Sequence, residues 1–499
     1  MKIGKFIYGS LLFAMLGMIG CSDWLDVQPK TSMPEEDLFA EEFGFQDALT
    51  GFYLKMGAPE LYGREMTYNY MDMLAGRYEY APNITNWEDI YNYNGTYKAT
   101  KDKFFSGVYN IIANINNFLY YLDANRRVIT TPNYYEIMKG EALGLRAFLH
   151  FDMLRIFGPV YAENPEGKSI PYRKVFSSEP TPVLPAIEVV DACLSDLHQA
   201  DTLLQKVDQD IFIHDVNADP FLELRQFRMN RWAVKAMLAR VYCYKGDAES
   251  KAKAYAYANE VIESRLFPLN EALTTQNRIL FDEHIFGLHI YEMEKIVDAD
   301  FVNQSASMVM SVGLEVFNKL FENSSGGSTD IRSGNAAFRQ LSLVAGETRK
   351  VLSKYDQSGY EFDMLPEETQ PYSGADVMPL IRIPEMYYIM AECDINAQSS
   401  AEILDMVRFK RGIASSDATD GGKGYDELDN REGFDSEHTR RINDLMREYV
   451  KEYYGEGQLF YFYKRHNYKT FDNCSLQDVR EKYQFPLPEN EDIFGITGK

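Results

Sequence analysis

The chain has 499 residues, 45% of them hydrophobic and 14% aromatic, and its 51 Lys and Arg against 75 Asp and Glu give a formal net charge of −24. That apolar fraction can fill a large core, which excludes a disordered chain, and the acidity excludes nucleic acid and anionic lipid surfaces, both of which need a basic face. The aromatics are skewed, with 35 Tyr and 31 Phe but only 3 Trp.

Residues 1–20 have the pattern of a signal peptide, with Lys2 and Lys5 ahead of an apolar run from Phe6 to Gly20 that is too short to span a bilayer comfortably. The run ends at Met18-Ile19-Gly20-Cys21, the way bacterial lipoprotein signals end, although Met18 stands where Leu is usual. Cleavage before Cys21 frees its thiol and amino group for acylation, and several acyl chains anchor stably where one does not. Ser22, rather than Asp, fits release to the outer membrane of a Gram-negative cell. After residue 21 no long uncharged apolar run remains, so the only expected membrane contact is the lipid.

Helical periodicity dominates the rest of the chain. Phe45, Ala48, Leu49, Phe52 and Met56 share one face, as do Val108, Ile111, Ile112, Ile115, Leu119 and Leu122. From Glu141 to Phe157 two apolar stripes run along one helix, which therefore lies between neighbours, and Gly158-Pro159 stops it. Met229 to Lys245 repeats the double pattern, Gly246-Asp247 breaks it, and a second helix runs from about Ala248 to Ser264. This pair resembles a tetratricopeptide unit through Leu238-Ala239, Tyr242, Tyr255 and Ala258, with Lys251 where a small residue is expected. A third pair is expected from Leu380 to Ala397 and Ala401 to Lys410, and a last long helix from about Arg441 to Tyr454.

Long excursions separate the pairs. Residues 158–185 carry six prolines and read as an irregular connection; residues 322–335 and 415–436 read as loops, and short strands are expected between about 268 and 378. Cys193, Cys243, Cys393 and Cys474 are too far apart in sequence for a zinc motif and read as free thiols. No HExxH, GxSxG, P-loop or GxGxxG occurs, and His150 reads as a core histidine. Asp420, Asp426 and Asp429 lie in a loop that could hold a structural calcium, but they lack EF-hand spacing, and a solvated acidic loop is the favoured reading; no other cofactor is expected.

A set of ordered blocks carries a family resemblance. They are Cys21-Ser22-Asp23-Trp24-Leu25-Asp26, then Glu141-Ala142-Leu143-Gly144-Leu145-Arg146-Ala147-Phe148, then Ala236-Met237-Leu238-Ala239-Arg240-Val241-Tyr242. Ile381-Arg382-Ile383-Pro384-Glu385-Met386-Tyr387, Tyr454-Gly455-Glu456-Gly457 with Lys464-Arg465, and Phe485-Pro486-Leu487-Pro488 complete the set. In this order the chain resembles the SusD/RagB-like nutrient-binding outer-membrane lipoproteins of the Bacteroidetes over essentially its whole length. It departs from the pattern at Leu459 and Phe462, where members often carry Arg and Asp, and this puts a polar network there in doubt.

The resemblance implies a mostly α fold, a tetratricopeptide-like helical-repeat scaffold carrying a smaller, irregular, loop-rich ligand-binding subdomain. In this numbering the scaffold falls around 35–57, 104–157, 186–265, 379–412 and 440–465, with excursions at 58–103, 158–185, 266–378 and 413–439, all in one domain spanning 21–499. It also implies a cell-surface lipoprotein anchored through Cys21. Such a protein is not an enzyme; it binds a glycan, or in some members a peptide, and delivers it to a SusC-like TonB-dependent transporter. Two other classes, a secreted hydrolase and a pure interaction scaffold, are the rivals.

Sugar rings call for aromatic platforms edged by hydrogen-bonding side chains. The stretch 61–97 holds eight tyrosines and Trp87 with few aliphatics, and family sites often draw aromatics from the loop after the first helix. Trp87 and Tyr91 are the leading candidates, with Asn83 and Asn86 as hydrogen-bond partners and Tyr78, Tyr80 and Tyr93 as further aromatics. A further contribution is expected from Asp298 to Asn303.

Overall fold

The computed structural model describes residues 35–82, 84, 87–94, 98–208, 219–302, 308–323, 327–343, 346–359, 374–413, 420–489 and 491. Cys21, Trp24, Asn83 and Asn86 lie outside these residues. The principal helices are α1 (Glu42–Met56), α2 (Trp87–Tyr91), α3 (Lys98–Ala124), α4 (Tyr134–Phe157), α5 (Ala186–Leu204), α6 (Arg231–Lys245) and α7 (Ala248–Glu263), followed by α8 (Leu314–Leu320), α9 (Ile383–Cys393), α10 (Ala397–Lys410), α11 (Arg440–Glu452) and α12 (Leu459–Arg465). The strands are β1 (Lys168–Pro171), β2 (Val183–Pro185), β3 (His284–His289), β4 (Val312–Gly313), β5 (Phe338–Ser342), β6 (Thr348–Leu352) and β7 (Val377–Arg382).

The scaffold is mostly helical and stacks in chain order. α4 packs on α5, α5 on α6, α6 on α7, α7 on α9 and α9 on α10, the arrangement of tetratricopeptide-like pairs. Local chemistry sets the helix ends. Asn230 accepts from the Ala233 N–H at 2.9 Å to open α6, Asp247 accepts from Ser250 N–H at 2.9 Å to open α7, and Asn396 accepts from Gln398 and Ser399 to open α10. Leu238, Ala239 and Ala258 are fully buried where the repeat motif places them, and Tyr242 stacks on Tyr257 at 6.0 Å between centroids.

α4 is the axis of the molecule. Every residue from Gly140 to Phe157 is buried. Glycine is needed at Gly140, because a Cβ there would sit 2.6 Å from Leu204 Cγ on α5. A helix buried on all sides must match each polar group it carries. The Arg146 guanidinium grips Asp196 through two bonds of 2.7 and 2.8 Å, and Glu141 pairs with Arg225 and Arg228 and accepts from Tyr53 Oη at 2.8 Å. His150 stands between the Arg146 carbonyl, 2.8 Å from Nδ1, and the Arg173 N–H, which donates to Nε2 at 3.0 Å. It is the core histidine expected from the sequence, and burial lowers its pKa to about 3.

β3 pairs antiparallel with β7, and β4, β6 and β5 form a three-stranded antiparallel sheet, so the region from 268 on supplies the short strands expected there. Residues 158–185 contain the antiparallel pair β1–β2 within their irregular connection. Val377–Arg382 is wholly buried strand, so the helix expected from Leu380 begins only at Ile383, with Pro384 in its first turn. A short unbroken apolar run fits a buried strand as well as a helix, and only its partner β3 decides. α10 starts at Ala397, four residues before the expected Ala401, because Asn396 caps it.

A buried ionic network ties the scaffold to the loop-rich side. Arg411 bonds Glu283 at 2.8 and 2.9 Å and Glu452 at 2.9 and 3.0 Å, and Arg382 reaches Glu283, Glu452 and Glu456 at 2.7–3.0 Å. Arg332 joins Asp330, Glu448 and Glu452. Three guanidiniums hold the Glu452 carboxyl well below the usual carboxylate range, outweighing the burial that opposes them. Leu459 and Phe462 take no part; both are buried apolar residues, and the polar contacts nearby come from Glu456, from Lys464, which donates to the Ile156 and Gly158 carbonyls, and from Arg465, which pairs with Glu392.

Candidate functional site

The aromatic stretch after α1 divides in two. Its first part is core. Tyr62 donates to Asp152 Oδ2 at 2.8 Å, Tyr68 packs between Phe301 and Tyr355 at 5.1 and 5.5 Å, and Tyr70 meets the edge of Phe104. Tyr78 is 1% exposed, against Phe301 and Tyr454, and so offers no ring face to a ligand. The expectation for Tyr78 is therefore corrected. Aliphatics are scarce in this stretch because the rings themselves fill the space that aliphatics would occupy.

What draws this segment inward is polar. The buried Asp72 carboxylate accepts from the N–H groups of Gly455 and Gly457 at 2.7 and 2.9 Å, and Arg77 lies 4.1 Å from the centre of the Tyr454 ring. Gly455 and Gly457 have φ of +85° and +68°, a backbone shape that aims successive N–H groups at one acceptor and that glycine adopts without strain.

From Glu79 onward the chain comes to the surface. Tyr80 and Ser311 exchange backbone bonds of 3.1 and 2.8 Å, and Glu79 accepts from the Gly313 N–H at 2.8 Å, so the segment is pinned to the edge at β4. The Arg349 guanidinium covers one face of the half-buried Tyr80 ring at 3.2 Å and is itself held by Glu347 at 2.7 and 3.1 Å. Burial and the bond to Glu347 raise the Tyr80 pKa and keep the hydroxyl a neutral donor.

Trp87 opens α2 and Tyr91 stands one turn later, their centroids 6.3 Å apart and their planes 52° apart. Both are half-buried. Tyr91 Oη donates to the Asn473 backbone oxygen at 2.5 Å, with Asn473 Oδ1 at 3.0 Å; Ser475 Oγ donates to the Tyr91 carbonyl at 2.9 Å, and Asn473 Nδ2 donates to the Gly76 carbonyl at 2.9 Å. Tyr93, at φ +54°, turns its hydroxyl to the Leu74 carbonyl and anchors the turn. Of the expected ligand residues, the structure therefore brings Trp87 and Tyr91 together, braces Tyr80 separately, and uses Tyr93 as a tether. Asp300, in the segment expected to contribute, accepts from Arg64 at 2.7 and 2.9 Å and is buried.

Beside this face lies a cleft of about 400 Å³ lined by Lys319, Phe434, Arg447, Tyr468, Lys469 and Phe471. It joins the α2 face through Asp472, which pairs with Lys319 at 2.6 Å and is the residue before Asn473. Arg447 lies 3.7 Å and Arg431 3.8 Å from the Phe434 ring centre. The only sequence signals for this cleft were Phe434 inside an acidic, Gly-containing loop and Phe471 flanked by Thr470 and Asp472. In the neighbouring loop Asp420, Asp426 and Asp429 pair with Arg440, Arg441 and Arg431, at 3.8, 2.8 and 2.7 Å.

Residues 23–243 match a family model described as starch-binding associating with outer membrane, SusD-like. No curated protein matches the chain. Solved structures match it in fold. A SusD superfamily protein from Bacteroides thetaiotaomicron shares 18% identity over 90% of this chain and 97% of its own, with a TM-score of 0.62. A putative sugar binding protein from Bacteroides vulgatus shares 19% over 91% and 97%, with a TM-score of 0.62. A SusD-like carbohydrate binding protein, also from B. vulgatus, shares 15% over 91% and 96%, with a TM-score of 0.65. Over residues 23–243, then, the chain matches the SusD-like family model, and along nearly its whole length it has the fold of these solved structures.

Proposed function

We propose that this protein is a lipid-anchored receptor on the cell exterior that captures a glycan and delivers it to a SusC-like TonB-dependent transporter. The observation that carries the reading is the α2 face. Trp87 and Tyr91 are half-buried rings on one helical turn, with Tyr91 braced by Asn473 and Ser475, next to a cleft edged by Lys319, Lys469 and Arg447. Rings held in place before binding lose little entropy when a sugar stacks on them, and the neighbouring cations and amides suit its hydroxyls. The protein binds and passes on its ligand without chemistry. Anchoring through Cys21 after removal of residues 1–20 fits the family's association with the outer membrane, and among the described residues no helix is long and apolar enough to cross a membrane.

The test is calorimetric titration of the full chain with a maltooligosaccharide series, plant and host oligosaccharides, and a peptide mixture. Trp87→Ala is expected to weaken the glycan that binds by tenfold or more while leaving the melting temperature within a few degrees. Unchanged glycan affinity in that variant removes the α2 face from the site, and binding of the peptides alone replaces the glycan reading with a peptide receptor. Cys21→Ala is expected to release the protein from the membrane fraction, and continued anchoring overturns the lipid assignment.

A further inference from the structure

Cys243 lies in the last turn of α6 and Cys393 closes α9, and the two Sγ atoms lie 3.8 Å apart, 150 residues apart in sequence. Their settings differ. Cys243 is buried, and the Arg465 guanidinium donates to its Sγ from 3.3 Å. Cys393 is partly exposed and lines an open groove of about 790 Å³ with Lys251, Tyr255, Ile395 and Ile442. Arg465 also grips Glu392, the residue before Cys393, with Nη2 to Oε2 at 2.6 Å, so one guanidinium from α12 sets the positions of both sulfurs. Both cysteines are free thiols here, whereas Cys193 is buried elsewhere and donates to the Ala147 carbonyl.

We propose that Cys243 and Cys393 are a dithiol that closes to a disulfide, a reversible covalent lock between two neighbouring helix pairs of the scaffold. A disulfide needs the sulfurs at about 2.0 Å, which side-chain rotation toward each other must supply. The oxidant is a small disulfide, RSSR, or a protein disulfide of the same chemistry, entering by the groove. The bond to Cys243 and burial hold the proton on Cys393, which gives it up as its sulfur attacks, and Arg465 offsets the charge on Cys243 when that sulfur attacks in turn. Cys393 Sγ attacks one sulfur of RSSR; that S–S bond breaks, RS⁻ leaves, and a mixed disulfide forms at Cys393. Cys243 Sγ then attacks Cys393 Sγ, and the second RS⁻ leaves. The two protons given up by the protein end on the two leaving thiolates, so the chain loses two electrons and RSSR becomes two RSH. The arrangement places the accessible sulfur where the oxidant arrives and the resolving sulfur behind it.

The experiment equilibrates the full chain with oxidised glutathione, alkylates it under denaturing conditions and digests it without reduction. The expected result is a linked peptide pair containing Cys243 and Cys393 that dithiothreitol separates. A cross-link over 150 residues constrains the unfolded chain strongly, so the melting temperature should rise by about 5 °C or more on oxidation. Cys393→Ser and Cys243→Ser should each fold as the reduced protein does and abolish both the pair and the rise. Recovery of both cysteines alkylated overturns the proposal, as does glutathione retained on Cys393 with no link to Cys243. A melting rise that persists in Cys243→Ser does so as well.

Discussion

The tyrosines before and after Glu79 come from one composition and meet opposite fates. Tyr62, Tyr68, Tyr70 and Tyr78 are core, while Tyr80, Trp87 and Tyr91 stay half-exposed and braced. Ring content does not separate the two groups. The first group lies under the 453–457 turn, where Asp72 accepts from the Gly455 and Gly457 N–H groups. Beyond Glu79 the chain is fastened by its backbone at Ser311 and by hydroxyl and amide bonds at Asn473, which leaves these rings only half-buried. Aromatics stay half-buried where the chain is held by its backbone and edges, and become core where it runs beneath a turn that its own side chains bond.

The largest effect should come from the network beneath the buried group. Arg411→Ala leaves Glu283 and Glu452 buried without one of their cations and should cost about 3–5 kcal/mol, read from urea unfolding. A loss below about 1 kcal/mol would mean the network does not fix the two sides together. Next is Tyr78→Ala, which opens a cavity between Phe301 and Tyr454 and should cost about 3–5 kcal/mol. Tyr78→Phe should lie within about 1 kcal/mol of the parent, since the buried hydroxyl has no partner among the described residues. Trp87→Ala, on the other side of the comparison, should cost less than about 1 kcal/mol, as expected for a half-exposed side chain. If it destabilises the fold as much as Tyr78→Ala, the distinction between core and platform fails.

Acid should weaken the buried side selectively. Burial lowers the pKa of His150 and His284 to about 3 and that of His466 to about 4. The unfolded chain binds these protons near pH 6.5 and the folded chain does not, so their contribution is present above about pH 6.5 and is lost as pH falls toward 3–4. Unfolding free energy measured from pH 7 to pH 4 should fall steadily, and His284→Gln should flatten that slope. A stability that is flat or rising over this interval would show that these rings are hydrated in the folded state. The smallest effect is at the surface. Lys253→Ala removes an exposed i,i+4 pair with Glu249 and should be visible only as a slight shift in the denaturant midpoint.

The helical scaffold was legible because its signals are local. The double stripe of α4, the Gly246-Asp247 break and the small residues of α6 and α7 each act within a few turns of chain, and the structure keeps all of them. The extent of α9 was not legible, since the apolar run before Ile383 becomes strand only through its pairing with β3. On the candidate face, Trp87 stood out as a tryptophan without a packing role in the sequence, but Tyr78 looked the same as Tyr80. The cleft between α8 and residues 468–472 was hidden because its walls come from segments more than a hundred residues apart.

By itself the sequence determined the helix pairs and the acidic, aromatic character of the chain and carried the resemblance to SusD/RagB-like proteins, because periodicity and ordered motifs are properties of neighbouring residues. The tertiary structure alone decided which aromatics face solvent, which carboxylates are held by arginine, and that Cys243 and Cys393 meet. Burial and charge pairing are settled by residues far along the chain, and the energy of a buried ion or ring depends on the partners that folding brings to it.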